Sequence, residues 1–194
     1  MPIEYELKYL IEPRLLCFDQ QLSEQKITQY YLLQEETRIV RFRRKEILQS
    51  SQYELTLKFK RDQGNPEFNF SLSPQEGHEL LEILQEDQVA FLKKTRHLFQ
   101  AEEVDIPDLF WEVDIFEEPL FFLGIAELEY PGPKRPNKLE ICPSWYLKPE
   151  LWPIEVTSDT DFLNNSLVSL KGSALNRFRK KVQKLLSTPA SKRP

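Results

Sequence analysis

Ile3-Glu4-Tyr5-Glu6-Leu7-Lys8 decides the fold, because charged residues take every second position and apolar ones fill the gaps. An extended chain sends alternate side chains to opposite faces, so two carboxylates and an ammonium share one side. The pattern recurs. Arg41 and Arg43 flank Phe42, Lys58 and Lys60 flank Phe59, Lys94 and Arg96 flank Thr95, Glu112 and Asp114 flank Val113, and Glu127 and Glu129 flank Leu128. A solvated strand face usually mixes its signs, whereas each of these later pairs carries one. Like charges two residues apart repel, and such rows are tolerable where a ligand of opposite sign lies against them.

Strand-like alternation covers residues 2–10, 27–33, 37–46, 52–60, 66–72, 92–99, 109–116 and 124–130. It predicts eight antiparallel strands. Ser73-Pro74-Gln75-Glu76 is a capping box with proline at the first helical position, and Leu80, Leu81 and Leu84 give the helix after it an apolar face. Pro13–Leu22, Thr160–Leu170 and Ala174–Leu186 read as further helices, and Pro131–Pro149 as an irregular excursion. One domain spanning residues 1–186 is expected, with a disordered tail over 187–194.

Charge decides how the strands are arranged. If the even-numbered face of the first strand and its equivalents turn inward, Lys8, Arg41, Arg43, Lys58, Lys60, Lys94 and Arg96 face Glu4, Glu6, Glu67, Glu112, Asp114, Glu127 and Glu129. The opposite faces, with Tyr5, Leu7, Phe42, Leu57, Phe59, Phe68, Phe70, Val113, Ile115 and Leu128, would lie under the helices. The expected fold class is therefore α+β, a closed eight-stranded antiparallel β-barrel with helices packed outside and a hydrated, charged bore.

The formal net charge of −5 argues against a general grip on nucleic acid. The basic run Arg177, Arg179, Lys180, Lys181 and Lys184 alternates with Leu175, Phe178, Val182, Leu185 and Leu186, as in an amphipathic helix packing its apolar stripe. Acids stand at Glu4 and Glu6 where a signal peptide would be basic, and no apolar run is long enough to span a bilayer, so a cytoplasmic protein without membrane attachment is expected. Cys17 and Cys142 have no CxxC companion and read as small buried hydrophobes, and the two histidines, His78 and His97, form no metal-binding spacing. Oligomeric state is not legible.

Neighbouring guanidinium and ammonium groups suit a compact anion such as a phosphate chain, with arginine forks taking oxygens in pairs. The carboxylates would repel that ligand unless hard divalent cations bridged them to it, which implies Mg²⁺ or Mn²⁺. With five glycines and no glycine-rich phosphate loop, side chains must do the recognition.

Glu4-x-Glu6-x-Lys8 resembles the ExExK signature of the CYTH superfamily, the triphosphate tunnel metalloenzymes. The likeness continues in order through Thr28-Gln29-Tyr30-Tyr31-Leu32 (Q-x-Y-L), Val40-Arg41-Phe42-Arg43 (RxR), Leu55-Thr56-Leu57-Lys58-Phe59-Lys60 (LTxK) and Lys94-Thr95-Arg96-His97 (KTRY). It then runs through Trp111-Glu112-Val113-Asp114-Ile115-Phe116 (WEVDxF), Ala126-Glu127-Leu128-Glu129 (AEVE) and Glu155-Val156-Thr157 with Asp159, Phe162 and Asn164 (EVTxDxxYxN). The resemblance implies a tunnel in which Lys8, Arg41, Arg43, Lys58, Lys60, Lys94 and Arg96 clamp a triphosphate-containing small molecule. It implies that Glu4, Glu6, Asp114, Glu127, Glu129 and Glu155 hold metal directly or through water, and that Lys8, Glu4 and Glu155 serve the catalytic step, a carboxylate orienting the attacking water.

Three positions depart from the family pattern. Asn69 stands where a carboxylate is usual, Pro153-Ile154 replaces Leu-Gly, and Phe162 replaces tyrosine. The expected function is metal-dependent hydrolysis of inorganic triphosphate. The alternatives are a thiamine-triphosphatase, nucleoside triphosphatase or adenylate cyclase of the same fold, with Trp145, Tyr146 and Trp152 as candidates for a base platform, or a non-catalytic polyphosphate-binding module.

Overall fold

The structure, a computed structural model, describes residues 4–59, 66–131 and 141–188, with residues 4, 5 and 131 described by backbone alone. Lys60, residues 132–140 of the irregular excursion and residues 189–194 of the expected tail lie outside the described residues.

Eight strands form where alternation predicts them: β1 (Glu4–Ile11), β2 (Ser23–Gln34), β3 (Arg38–Ile47), β4 (Ser50–Phe59), β5 (Glu67–Leu72), β6 (Phe91–Gln100), β7 (Phe110–Phe116) and β8 (Gly124–Pro131). They build one antiparallel sheet in the order β1-β8-β7-β6-β2-β3-β4-β5. The helices are α1 (Pro74–Glu86), the short α2 (Asn164–Leu167) and α3 (Gly172–Ser187). The capping box holds, with Ser73 accepting from the Glu76 amide and Glu76 accepting from that of Ser73.

The expected closed barrel does not form. β5 pairs with β4, and the outer edge of β1 is taken by the returning chain: the Leu10 amide donates to the Ile154 carbonyl at 2.8 Å and the Val156 amide to the Lys8 carbonyl at 2.9 Å. The Lys8 amide donates to Thr157 Oγ1. These bonds use the donors and acceptors that closure against β5 would need. The sheet is nevertheless strongly curled. Six strand spacings on a flat sheet would put β1 and β4 roughly 29 Å apart, yet Lys58 of β4 pulls electrostatically on Glu6 of β1. The result is an open, tunnel-like trough.

The cover of the convex face also departs from expectation. α1 packs over β2, β3 and β4 on Tyr30, Phe42 and Tyr53 through Leu81 and Leu84. Over β1, β8, β7 and β6 the cover is the irregular segment carrying Trp145, Tyr146 and Trp152, packed on Tyr9, Phe99, Trp111 and Leu128. The candidate base platform is thus core, with its three rings 2–4% exposed.

α3 instead joins Phe162, Leu167 and Val168 against Leu10, Tyr31, Leu92, Phe116 and Ile125. These five lie on the concave face beyond the charged rows. The trough therefore has charged walls and an apolar floor, and burial of Phe178 and Val182 is what holds α3 there.

Two expected helices are replaced. Pro13–Leu22 forms one 3-10 turn, Pro13–Leu15, because Leu16 bridges to Tyr146 and the Cys17 amide donates to the Trp145 carbonyl. Thr160–Leu170 divides into a 3-10 turn over Thr160–Phe162 and α2. Both cysteines are free and only partly buried.

Gly77 lets α1 approach the sheet, since a Cβ there would stand 2.1 Å from Tyr53 Cγ. Gly77→Ala would ordinarily gain helix propensity. Here the overlap should reverse the sign and cost about 1–3 kcal/mol, read as a lower urea midpoint.

Candidate active site

Strand register assembles the charged residues on the concave face. Glu6 pairs with Glu129 and Lys8 with Glu127 across β1 and β8, Glu112 with Glu127 across β7 and β8, and Arg96 with Asp114 across β6 and β7. On the other flank Gln29 pairs with Arg43 and Tyr31 with Arg41, then Arg43 with Glu54, Arg41 with Thr56 and Lys58 with Glu67. Antiparallel partners share a face, so these side chains form one continuous lining.

The two flanks differ in how their charges are met. On the β1, β6, β7 and β8 side the ions are locked together. Asp114, 1% exposed, accepts from Arg96 Nε and Nη2 at 2.7 Å each and from Lys94 Nζ. Glu127 pairs with Lys8 and accepts from Arg96 Nη2 at 3.3 Å, Glu112 pairs with Arg96, and Lys8 reaches Glu6 at 2.7 Å. Burial opposes ionisation of Asp114 and Glu127, but Arg96 and Lys94 around the first, and Lys8, Lys94 and Arg96 around the second, hold both carboxyls below their usual range.

Those depressed values fix the sign of an acid response. The unfolded carboxyls titrate near 3.8 for Asp and 4.5 for Glu, so the unfolded chain binds protons first as pH falls. The stability these groups contribute is fully present above that range and is lost as pH drops through it toward the folded values. Urea midpoints should therefore fall steeply between about pH 5 and pH 3, and a flat profile would contradict the pairing.

On the β3–β4 side cations are held loosely. Arg41 reaches Glu67 at 3.4 Å, Arg43 reaches Glu54 at 3.7 Å, and Lys58 reaches Glu67 at 3.2 Å. The Nε atoms of Arg41 and Arg43 are buried and find no partner among the described residues. Burial, reinforced by repulsion from Arg41 and Arg96, pulls the Arg43 guanidinium down to about 10. Arg41 Nη2 also donates to Thr56 Oγ1 at 3.2 Å, and Thr56 donates to Asn69 Oδ1 at 2.7 Å. The neutral Asn69 thus steadies Thr56 beside Arg41 without quenching its charge.

The structure places most of the expected site residues on this lining, with three exceptions. Lys60 and the side chain of Glu4 lie outside the described residues. Glu155 bridges to Tyr9, whose buried ring is on the convex side, so register separates it from the concave carboxylates. Asp159 pairs with Lys181 at 2.6 Å and tethers α3, a structural role.

Glu54, Thr56, Gln29 and Tyr31 also join the lining; counting by two from Lys58 reaches the first two, and the strand pairing of β2 with Arg41 and Arg43 places the others. A hard divalent cation needs oxygen donors. Glu6 and Glu129, paired in register, supply that chemistry toward the open side, where the Glu6 side chain is 35% exposed. Burial and then Glu127 raise the Glu6 carboxyl above its usual value despite Lys8, so an added cation there would relieve carboxylate crowding. Among the described residues no three acidic, histidine or cysteine side chains stand ready-grouped around a metal position. Glu6 and Glu129 thus offer oxygen donors of the kind a hard divalent cation takes, whereas the deeper Asp114 and Glu127 are already neutralised by protein cations.

Among the described residues no helix is long and apolar enough to cross a membrane. No curated protein matches the chain. Among solved structures, the inorganic triphosphatase NE1496 aligns at 23% identity over 89% of this chain and 99% of its own, with a TM-score of 0.55. A conserved hypothetical protein from Pyrococcus furiosus aligns at 18% identity over 73% of this chain and 81% of its own, with a TM-score of 0.47. The first likeness shows a shared fold. The CYTH domain matches residues 2–129, which hold all eight strands but the last two residues of β8, and the chain belongs to the CYTH family.

Proposed function

We propose that this chain is a divalent-metal-dependent hydrolase of inorganic triphosphate that works on the concave face of the sheet. One observation carries the reading: Arg41 and Arg43 are largely buried, with Nε donors that find no partner among the described residues and with long ion pairs, while Asp114 and Glu127 opposite are held by Lys8, Lys94 and Arg96. Buried cations lacking full compensation are costly, and a multivalent anion of phosphate type removes that cost. NE1496, whose fold this chain resembles, is an inorganic triphosphatase, which supports this choice.

Arg41, Arg43 and Lys58 would receive the phosphates first, because their present partners are the weakest held. Lys94, Arg96 and Lys8 would add positive field from the opposite wall, with Asp114 and Glu127 fixing their positions. Lys60 and Glu4 keep their expected roles as clamp and metal ligand, and Glu155 would act only if its segment at the β1 edge turned inward. Mg²⁺ or Mn²⁺ held by Glu6 and Glu129 would neutralise phosphate charge. Such preorganised charge supplies most of the rate in phosphoryl transfer. Burial of Trp145, Tyr146 and Trp152 removes the aromatic groups considered for a nucleobase and favours the inorganic substrate.

The test is phosphate release from tripolyphosphate, ATP and thiamine triphosphate, each with Mg²⁺ and Mn²⁺ and with cyclic AMP assayed in the ATP reaction. Tripolyphosphate should be turned over fastest. Preference for ATP or thiamine triphosphate would transfer the activity to those substrates, and binding without turnover would make the protein a phosphate-binding module.

A further inference from the structure

Gln29 is the lining residue that phosphate binding does not explain. It is 0% exposed, sits in register between Arg43 on β3 and Leu92 on β6, and its Nε2 donates to the Tyr31 hydroxyl at 3.0 Å. Its Oε1 is buried with no partner among the described residues, and Arg43 Nε beside it is equally unpaired. A buried acceptor left unsatisfied costs about 1–3 kcal/mol, so it calls for a ligand. An ionised phosphate cannot supply one, because its oxygens accept hydrogen bonds and would satisfy Arg43 while leaving the amide oxygen bare. Water can donate to Oε1 and is also the nucleophile that hydrolysis needs.

We propose that Gln29 Oε1 holds the attacking water against the terminal phosphate seated on Arg43, an inference that rests on the triphosphatase reading above. The Tyr31 hydroxyl accepts from Nε2, which leaves Oε1 as the unengaged end of the amide. The water oxygen forms the new bond to the terminal phosphorus, the bridging P–O bond breaks, and its electron pair leaves with pyrophosphate. One proton of the water stays on the new inorganic phosphate and the other passes to solvent. Gln29 accepts a hydrogen bond throughout and takes no proton. An amide suits this position, because a carboxylate in register with Arg43 would pair with it and compete with the substrate.

The experiment is steady-state hydrolysis of tripolyphosphate by the full chain with Mn²⁺, comparing wild type, Gln29→Leu and Gln29→Glu, each with a melting curve. Gln29→Leu should lower kcat by about 100-fold, with KM within about threefold and no loss of melting temperature, since it removes an unsatisfied buried group. Gln29→Glu keeps the acceptor but adds charge, so it should recover part of kcat and raise KM. Should Gln29→Leu fail to fold, Gln29→Met carries the same expectation. Wild-type activity with Gln29→Leu within threefold of it would overturn this inference alone. A fall in kcat matched by lower thermal stability and no recovery in Gln29→Glu would overturn it in favour of a packing role. A wild type inactive on tripolyphosphate would overturn the triphosphatase reading and this inference with it.

Discussion

Arg43→Met should remove nearly all triphosphate turnover while leaving the protein at least as stable as wild type. Arg43 lies buried in the concave wall with its nearest carboxylate, Glu54, 3.7 Å away and its Nε unpaired among the described residues. In the free protein that guanidinium is a burden, which is why burial and the positive charges of Arg41 and Arg96 draw its pKa down. Methionine fills similar volume without the charge, and replacing poorly compensated buried ions by apolar groups is often neutral or stabilising. With substrate present the balance inverts. Losing a preorganised charge directed at a transferring phosphoryl group costs about 2.7–4 kcal/mol, or a factor of about 100 to 1,000 in kcat. A variant that lost stability and kept activity would show that Arg43 is a structural ion.

Asp114→Asn should do the opposite and strike stability first. Its carboxylate is the shared acceptor for Lys94 and Arg96, both themselves buried. The amide is isosteric but neutral and offers one acceptor oxygen in place of two, stripping buried Lys94 of its ion-pair partner and leaving Arg96 to Glu112 and Glu127 alone. Breaking a buried pair from one side typically costs about 3–5 kcal/mol, a large share of the stability of an ordinary domain. Urea unfolding at neutral pH should show a loss of that size. A change under about 1 kcal/mol would mean that Lys94 and Arg96 find other partners or shed charge without penalty.

The two responses differ because the sheet sorts its charges into a locked flank and a loose one, and that sorting was only partly legible in the sequence. Period-two alternation marks all eight strands and the face of the described charges in these rows, since register in an antiparallel sheet follows the side-chain pattern. The pairing of Arg96 with Asp114, against the looser reach of Arg43 to Glu54, depends on which strands neighbour each other. β6 lies between β7 and β2, and nothing local to residues 91–100 specifies that.

Closure depends on a long-range contact in the same way. Counting inward charges favours an enclosed bore, but the fate of the β1 edge was decided by backbone bonds to Ile154 and Val156, nearly 150 residues away. The same returning segment explains Glu155, whose Glu-Val-Thr triplet matches the family pattern while its register puts it behind the sheet. The proline-led stretch after β1 reads as helical but forms one 3-10 turn followed by irregular chain, because tertiary pairing with Trp145 and Tyr146 outweighs the weak preference of ten residues. Gln29 escaped the charge reading altogether, since a neutral amide leaves no sign in a pattern built on ions.

The most direct test of the central claim is calorimetric titration of tripolyphosphate, with Mg²⁺ present, into wild type and into the Arg41→Met/Arg43→Met double variant. A ligand seated in the curled face against the loose cations predicts saturable one-to-one binding to wild type, weakened by at least a factor of about 100 in the variant. Equal affinity for the two proteins, or no binding to wild type, would contradict the account.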